Sequence, residues 1–147
     1  MPQEDIIEAM QNFSFGMMHL REEMMKSQKL SFTDVFLISY IRKFGPTRPS
    51  DLATLMGLTK PTITHIIDGL ETRNFVRRKF GEEDRRTIFV HVGENAEKMF
   101  QEFDTFQDDF KNALGNLDEN AIESIVSVIN RLISVITKKI KEAKNEQ

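Results

Sequence analysis

The chain has 147 residues, of which 39% are apolar and 29% charged, enough for one compact domain carrying an oligomerisation arm. It contains no cysteine, which excludes a disulfide framework, a thiolate metal site and a cysteine redox switch. It has no run of about 18 apolar residues. The acidic start Met1-Pro2-Gln3-Glu4-Asp5 lacks the apolar stretch of a signal peptide. Neither a membrane span nor secretion is therefore expected, and the expected compartment is the cytoplasm. The formal charge of −3 is unevenly spread. Residues 1–41 carry three basic and six acidic side chains, 42–86 ten and six, and 87–147 seven and eleven. The middle third is thus net positive inside an acidic chain, as when one module meets phosphate and its flanks do not.

In the first segment Ile6, Met10, Phe13, Met17, Leu20 and Met24 recur at alternating steps of four and three, the seam of one long helix over about 4–29. Ser31 followed by Asp34 predicts a capped start to a second helix, about 32–43. That helix should bury some combination of Val35, Phe36, Ile38 and Ile41, and Gly45-Pro46 should end it. A short helix opening at Pro49-Ser50-Asp51 should stop at Gly57. Thr59 is a good cap for the next, about 60–73, with Pro61 tolerated in its first turn. Ile63, Ile67 and Leu70 form the inner face of that helix, and Lys60, Thr62, Thr64, His65 and Asp68 remain polar outside. A short helix, a glycine turn and a capped helix with one polar face make the helix-turn-helix pattern.

The periodicity then changes. The runs 75–80 and 87–92 are rich in β-branched and aromatic residues and flank the polar tip Gly81-Glu82-Glu83-Asp84-Arg85-Arg86, which predicts a β-hairpin, or wing. Helical spacing returns with Ala96, Met99, Phe100, Phe103, Phe106, Phe110 and Leu114. A last helix, about 118–144, carries Ile122, Ile125, Ile129, Leu132, Ile136 and Ile140, widened by Val126 and Ile133. One small lobe cannot cover three such stripes, so burial against a second copy is expected. The expected fold class is mainly α (α+β): an N-terminal dimerisation helix over 1–30, a winged helix-turn-helix lobe over 31–92 and C-terminal dimerisation helices over 93–147.

A helix entering a major groove needs short polar side chains near its N-terminal half. Pro61, Thr62, Thr64 and His65 meet that need, and Lys60 stands where it would find phosphate. Arg73 at the helix end, Arg77 and Lys79 on the first wing strand, and Arg85 and Arg86 after the tip complete the expected DNA-contacting set. Arginine suits a narrow minor groove, and Asp84 is placed to hold the Arg86 guanidinium in a bidentate pair.

The stretch from Thr62 to Glu71, Asn74-Phe75-Val76-Arg77-Arg78 and Asp84-Arg85-Arg86 together resemble the MarR family of bacterial transcription regulators, and the likeness extends to the flanking helices. The resemblance implies a homodimer on a near-palindromic duplex operator. It places Thr62, Thr64 and His65 toward the major groove and Arg85 or Arg86 in the minor groove. It also implies a repressor released by a small lipophilic or phenolic ligand, whose pocket Met and aromatic side chains of the first two helices, Phe13, Met17 and Phe36 among them, would line, because thioethers adapt to irregular ligands. The chain departs from the family where His65 and Gly69 stand for arginine, and where Gly93 stands for threonine; Gly93 is expected to serve as an acceptable helix cap.

Rival readings are weaker on the residues. His19 and Glu23 have a spacing that can hold zinc, the basis of a metal-responsive regulator of the same fold, but a third ligand is not in sight. No phosphate loop, nucleophile motif or ligand cluster argues for an enzyme, and no cofactor is expected. A winged-helix protein-interaction module would be expected to carry a neutral wing rather than one with five cations.

Overall fold

The computed structural model describes residues 1–146, and the chain falls into two compact units, one from Met1 to Glu102 and one from Phe103 onward. In chain order the elements are α1 (Pro2–Gln28), α2 (Phe32–Phe44), α3 (Pro49–Met56), α4 (Lys60–Thr72), β1 (Val76–Phe80), β2 (Ile88–Val92), α5 (Glu94–Leu114) and α6 (Glu119–Asn145).

The helix boundaries in the first unit follow from local chemistry. The Ser31 hydroxyl accepts from the Asp34 amide at 3.1 Å while the Asp34 carboxylate accepts from the Ser31 amide at 2.8 Å, a reciprocal cap that satisfies two otherwise orphan donors. Gly45 ends α2 at φ 91°, and Gly57 ends α3 in the left-handed region at φ 64°, conformations that cost glycine least. Arg48 precedes α3 and pairs with Asp51, its Nε lying 2.8 Å from Oδ2.

The core of this unit is one apolar cluster. Leu37, Ile38, Leu52, Ile63, Ile67, Val76 and Val90 are fully excluded from solvent, and Ile41, Leu70, Phe75, Ala96, Met99 and Phe100 close around them. Phe36, expected among the inward residues of α2, is instead 44% exposed, and its neighbour Leu37 is fully buried. The two side chains sit about 100° apart on the helix; Leu37 joins the core, while Phe36 lines a shallow hollow with Leu55, Met56 and Leu58. Leu30 and Met25 bring the end of α1 onto the same cluster, although α1 itself buries no residue completely.

β1 and β2 pair antiparallel, with Val76 opposite Val92, Arg78 opposite Val90 and Phe80 opposite Ile88. A third segment joins them through one residue. The Val90 amide donates to the Thr47 carbonyl at 2.8 Å and the Thr47 amide to the Val90 carbonyl at 3.2 Å, stitching the α2–α3 connection to the root of the hairpin. Gly93 follows β2 against the backbone of the α4–β1 turn. A Cβ there would stand 2.4 Å from the Asn74 carbonyl oxygen. Glycine is therefore required at this position, a stronger constraint than the acceptable cap expected from the sequence.

In the second unit Asp118 caps α6 by accepting from the Ala121 amide at 2.8 Å. The expected apolar stripe is present and uncovered: Ile122, Ile125, Val126, Ile129, Ile133, Ile136 and Ile140 are each at least 41% exposed. By length and composition alone, α6 is long and apolar enough to cross a membrane. The same helix carries Ser124, Ser127, Arg131, Ser134 and Lys138 along the opposite face, the division of an amphipathic helix.

Candidate nucleic-acid interface

The Thr59 hydroxyl caps α4, accepting from the Thr62 amide at 3.4 Å and lying 2.7 Å from the Thr62 hydroxyl. With Ile63, Ile67 and Leu70 buried, the 3.6-residue repeat turns Pro61, His65, Gly69 and Thr72 outward. Lys60, Pro61, Thr62, Thr64 and His65 are all exposed. Lys60, Pro61, Thr64, His65 and Asp68 line one shallow open hollow, and Thr62 lies on the other flank. The Thr64 hydroxyl donates to the Lys60 carbonyl at 2.9 Å, which leaves its methyl group as the outward surface.

The hairpin divides its cations between two faces. Arg77 and Lys79 alternate with Arg78 along β1, so they point away from the side that Arg78 takes. Arg78 turns to α4. Its guanidinium donates to Glu71 Oε1 at 3.0 Å and Asp68 Oδ1 at 2.6 Å, and its amide donates to Glu71 Oε2 at 2.6 Å. The wing therefore presents four cations rather than five: Arg77, Lys79, Arg85 and Arg86, all exposed and none in an ion pair among the described residues. On the face of Arg78, one register further out, Phe80 is 66% exposed opposite Ile88. Sequence reasoning placed Phe80 in a strand without marking it as surface.

At the wing tip Asp84 does not hold a guanidinium. Its Oδ1 accepts from the Arg86 amide and its Oδ2 from the Thr87 hydroxyl, both at 2.9 Å. A carboxylate two residues from an amide closes a tight local ring more readily than it reaches the end of a long side chain. These bonds hold the Asp84 carboxyl below its usual range, the Arg86 amide contributing most. Asp84 thus orders the backbone that carries Arg85 and Arg86. His91, opposite Arg77, is held below the usual histidine range, first by burial and then by Lys79 and Arg77.

Arg73 is committed elsewhere. Its guanidinium donates to the Lys29 carbonyl at 2.9 Å and to the Gln28 carbonyl, and lies 5.0 Å above the Phe75 ring. The positive group expected to meet DNA therefore caps the C-terminal end of α1, where the helix dipole favours it. The Asn95 side chain donates in turn to the Arg73 carbonyl at 2.8 Å.

The residues proposed for a ligand pocket do not converge. Phe36 lines a shallow hollow with Phe32, Thr33, Leu55, Met56 and Leu58. A separate, more enclosed hollow is lined by Phe15, Met18, His19, Arg21, Glu22, Met25 and Phe32, without Phe13 or Met17. His19 Nε2 lies 3.8 Å from Glu23 Oε1 with both side chains more than half exposed, a solvated pair.

Residues 30–88 match the model of the MarR family, a span that holds α2 to α4 and β1. Over these residues the chain is similar to the MarR family. Among curated relatives, it is 35% identical over 72 residues to the uncharacterized HTH-type transcriptional regulator YfiV of Bacillus subtilis. That match covers 49% of this chain and 45% of YfiV. The HTH-type transcriptional repressor MdtR of the same organism is 26% identical over 80 residues, 54% of this chain and 52% of that protein. The chain thus spans about half the length of the curated relatives it matches. In fold it is similar to Streptococcus pneumoniae FabT, solved in complex with DNA, at a TM-score of 0.69 and 17% identity, over 92% of this chain and 97% of FabT. A MarR-like regulator from Thermotoga maritima aligns at a TM-score of 0.65 and 22% identity, over 86% of this chain and 95% of that one.

Proposed function

We propose that the chain is a homodimeric transcription regulator that binds a near-palindromic duplex operator, most simply as a repressor, in the cytoplasm. The observation that carries this is the pairing, in one compact unit, of a capped helix with a polar outward ridge and a wing with four unpaired cations. The N-terminal half of α4, with Lys60, Pro61, Thr62, Thr64 and His65, enters the major groove. Arg85 and Arg86 reach the minor groove, and Arg77 and Lys79 contribute positive potential along the wing. Arg73 is left out of the contacting set because its guanidinium already serves α1.

Residues 31–92 form the reading lobe, and 1–30 with 93–147 provide the dimer contacts. The support for dimerisation is the uncovered α6 stripe, too large and regular for a free surface. Proteins of this fold solved with DNA, FabT among them, and a relative named as a repressor agree with the reading. A small lipophilic or phenolic effector fits the hollow around Phe15, Met18, Met25 and Phe32, and would release DNA by favouring a dimer with wrongly spaced heads.

The test is selection of bound genomic fragments by the purified protein, followed by titration of one selected duplex. Affinity should fall steeply with salt, and Arg85→Ala with Arg86→Ala should weaken binding at least about 30-fold, two lost contacts at about 1–3 kcal/mol each. Equal binding by the double variant would remove the wing from the interface. Absence of salt-dependent binding would favour a protein-interaction module.

A further inference from the structure

Asp68 and Glu71 put two carboxylates on the flank of α4 that also carries Lys60 and Thr64. A helix that approaches phosphate gains nothing from acid there unless the acid is used. Here it is used on the wing. Arg78 makes three hydrogen bonds to that flank, two from the guanidinium and one from its own amide, with Glu71 taking the amide and one guanidinium nitrogen on its two oxygens. The Arg78 side chain is only 25% exposed, so the pair is screened less than a surface bridge. The grip involves the backbone of β1 as well as a side chain, and therefore constrains the direction of the strand and not just a charge. Further out, Gly81, Glu82 and Glu83 carry the turn, and Phe80 is mostly exposed. Among the described residues, no hydrogen bond or ion pair joins α4 to the wing beyond Arg78.

We infer that Arg78, gripped by Glu71 and Asp68, is a positioning residue that sets the angle between the recognition helix and the wing, so that Arg85 and Arg86 reach the minor groove only while the grip holds. The inference rests on the DNA-binding reading above. It assigns two acidic residues of the reading helix a favourable part in binding a polyanion, the reverse of what their charge alone implies.

That reversal of sign is the test. On a selected duplex, Glu71→Gln and Asp68→Asn each remove a negative charge and one of the two ion-pair partners of Arg78. If the carboxylates act only through charge, both variants bind DNA more tightly. If they position the wing, Glu71→Gln binds about tenfold more weakly and Asp68→Asn about threefold more weakly. In the Glu71→Gln background the further loss from Arg85→Ala with Arg86→Ala should shrink by about fivefold or more, because the wing contacts are already compromised. Unchanged or tighter binding by both variants, or full additivity with the wing substitutions, overturns the inference while leaving DNA binding in place. Failure of the unaltered protein to bind any duplex overturns the functional reading and this inference with it. Asp68 is 59% exposed, so Asp68→Asn gives a folded variant for the same sign test if Glu71→Gln proves unstable by thermal melting.

Discussion

The Arg73 guanidinium donates to the Lys29 carbonyl across 44 positions of sequence at 2.9 Å. The residue that ends α4 thereby caps the C-terminal end of α1. Arg73→Ala should lower stability by about 1 kcal/mol, the scale of a charge-assisted hydrogen bond that solvent partly replaces. It should leave the slope of log affinity against log salt unchanged. A slope reduced by about one unit would show that Arg73 meets phosphate after all.

Two glycines give opposite expectations. At Gly93 a methyl group would meet the Asn74 carbonyl oxygen at 2.4 Å and the Phe75 carbonyl carbon at 2.8 Å, so Gly93→Ala should destabilise the protein by about 2–3 kcal/mol. At Gly69, mid-helix and exposed, nothing lies within 4 Å of the same methyl, and Gly69→Ala should stabilise by about 0.5–1 kcal/mol. Urea unfolding of the two variants checks both, and equal effects would contradict the packing around Gly93.

The wing tip should respond to acid. The Asp84 carboxyl titrates below its ordinary value of 3.8 when folded, because the Arg86 amide and the Thr87 hydroxyl stabilise the carboxylate. Its contribution is therefore complete above 3.8 and is lost as pH falls through the lower folded value. Hydrogen exchange at the Arg86 amide should accelerate over that window relative to neighbouring amides. Asp84→Ala should produce the same acceleration at neutral pH; an Arg86 amide indifferent to the substitution would remove the ring at the tip.

His91 gives a second dependence, nearer neutrality. Burial, with Lys79 and Arg77 beside it, depresses its folded value below 6.5. Above 6.5 the ring is neutral in both folded and unfolded chains. As pH falls below 6.5 the unfolded chain takes up the proton first, so stability declines toward the depressed folded value. The melting temperature should fall between pH 7.5 and 5.5, and His91→Gln should flatten that decline. A decline of equal size in the variant would place its origin elsewhere.

The features legible in the sequence were those decided within a few residues. Ser31 with Asp34 and Thr59 before α4 are local caps, and the spacing of Ile63, Ile67 and Leu70 fixes one face of one helix. The choice between Phe36 and Leu37 was not legible. α2 is apolar at six of the seven positions 35–41, so periodicity alone cannot select the side that enters the core. The partners of Arg73 and Arg78 lie on other elements, and a basic residue in a wing looks the same whether it is free or engaged. The sequence marks Asp84 as a device for orienting the tip, but it does not tell an amide partner from a guanidinium. The single-residue bridge from Thr47 to Val90 has no pattern to read.

That bridge makes the wing a cantilever. Its root is clamped on both sides, by Thr47 through Val90 and by α4 through Arg78, while its last pair and tip project without such ties. A beam held this way deflects most at its free end. Thermal motion and any misfit to a bound surface should therefore concentrate between Phe80 and Ile88, with exchange protection graded from Val90 outward, while α4 stays in register with the core.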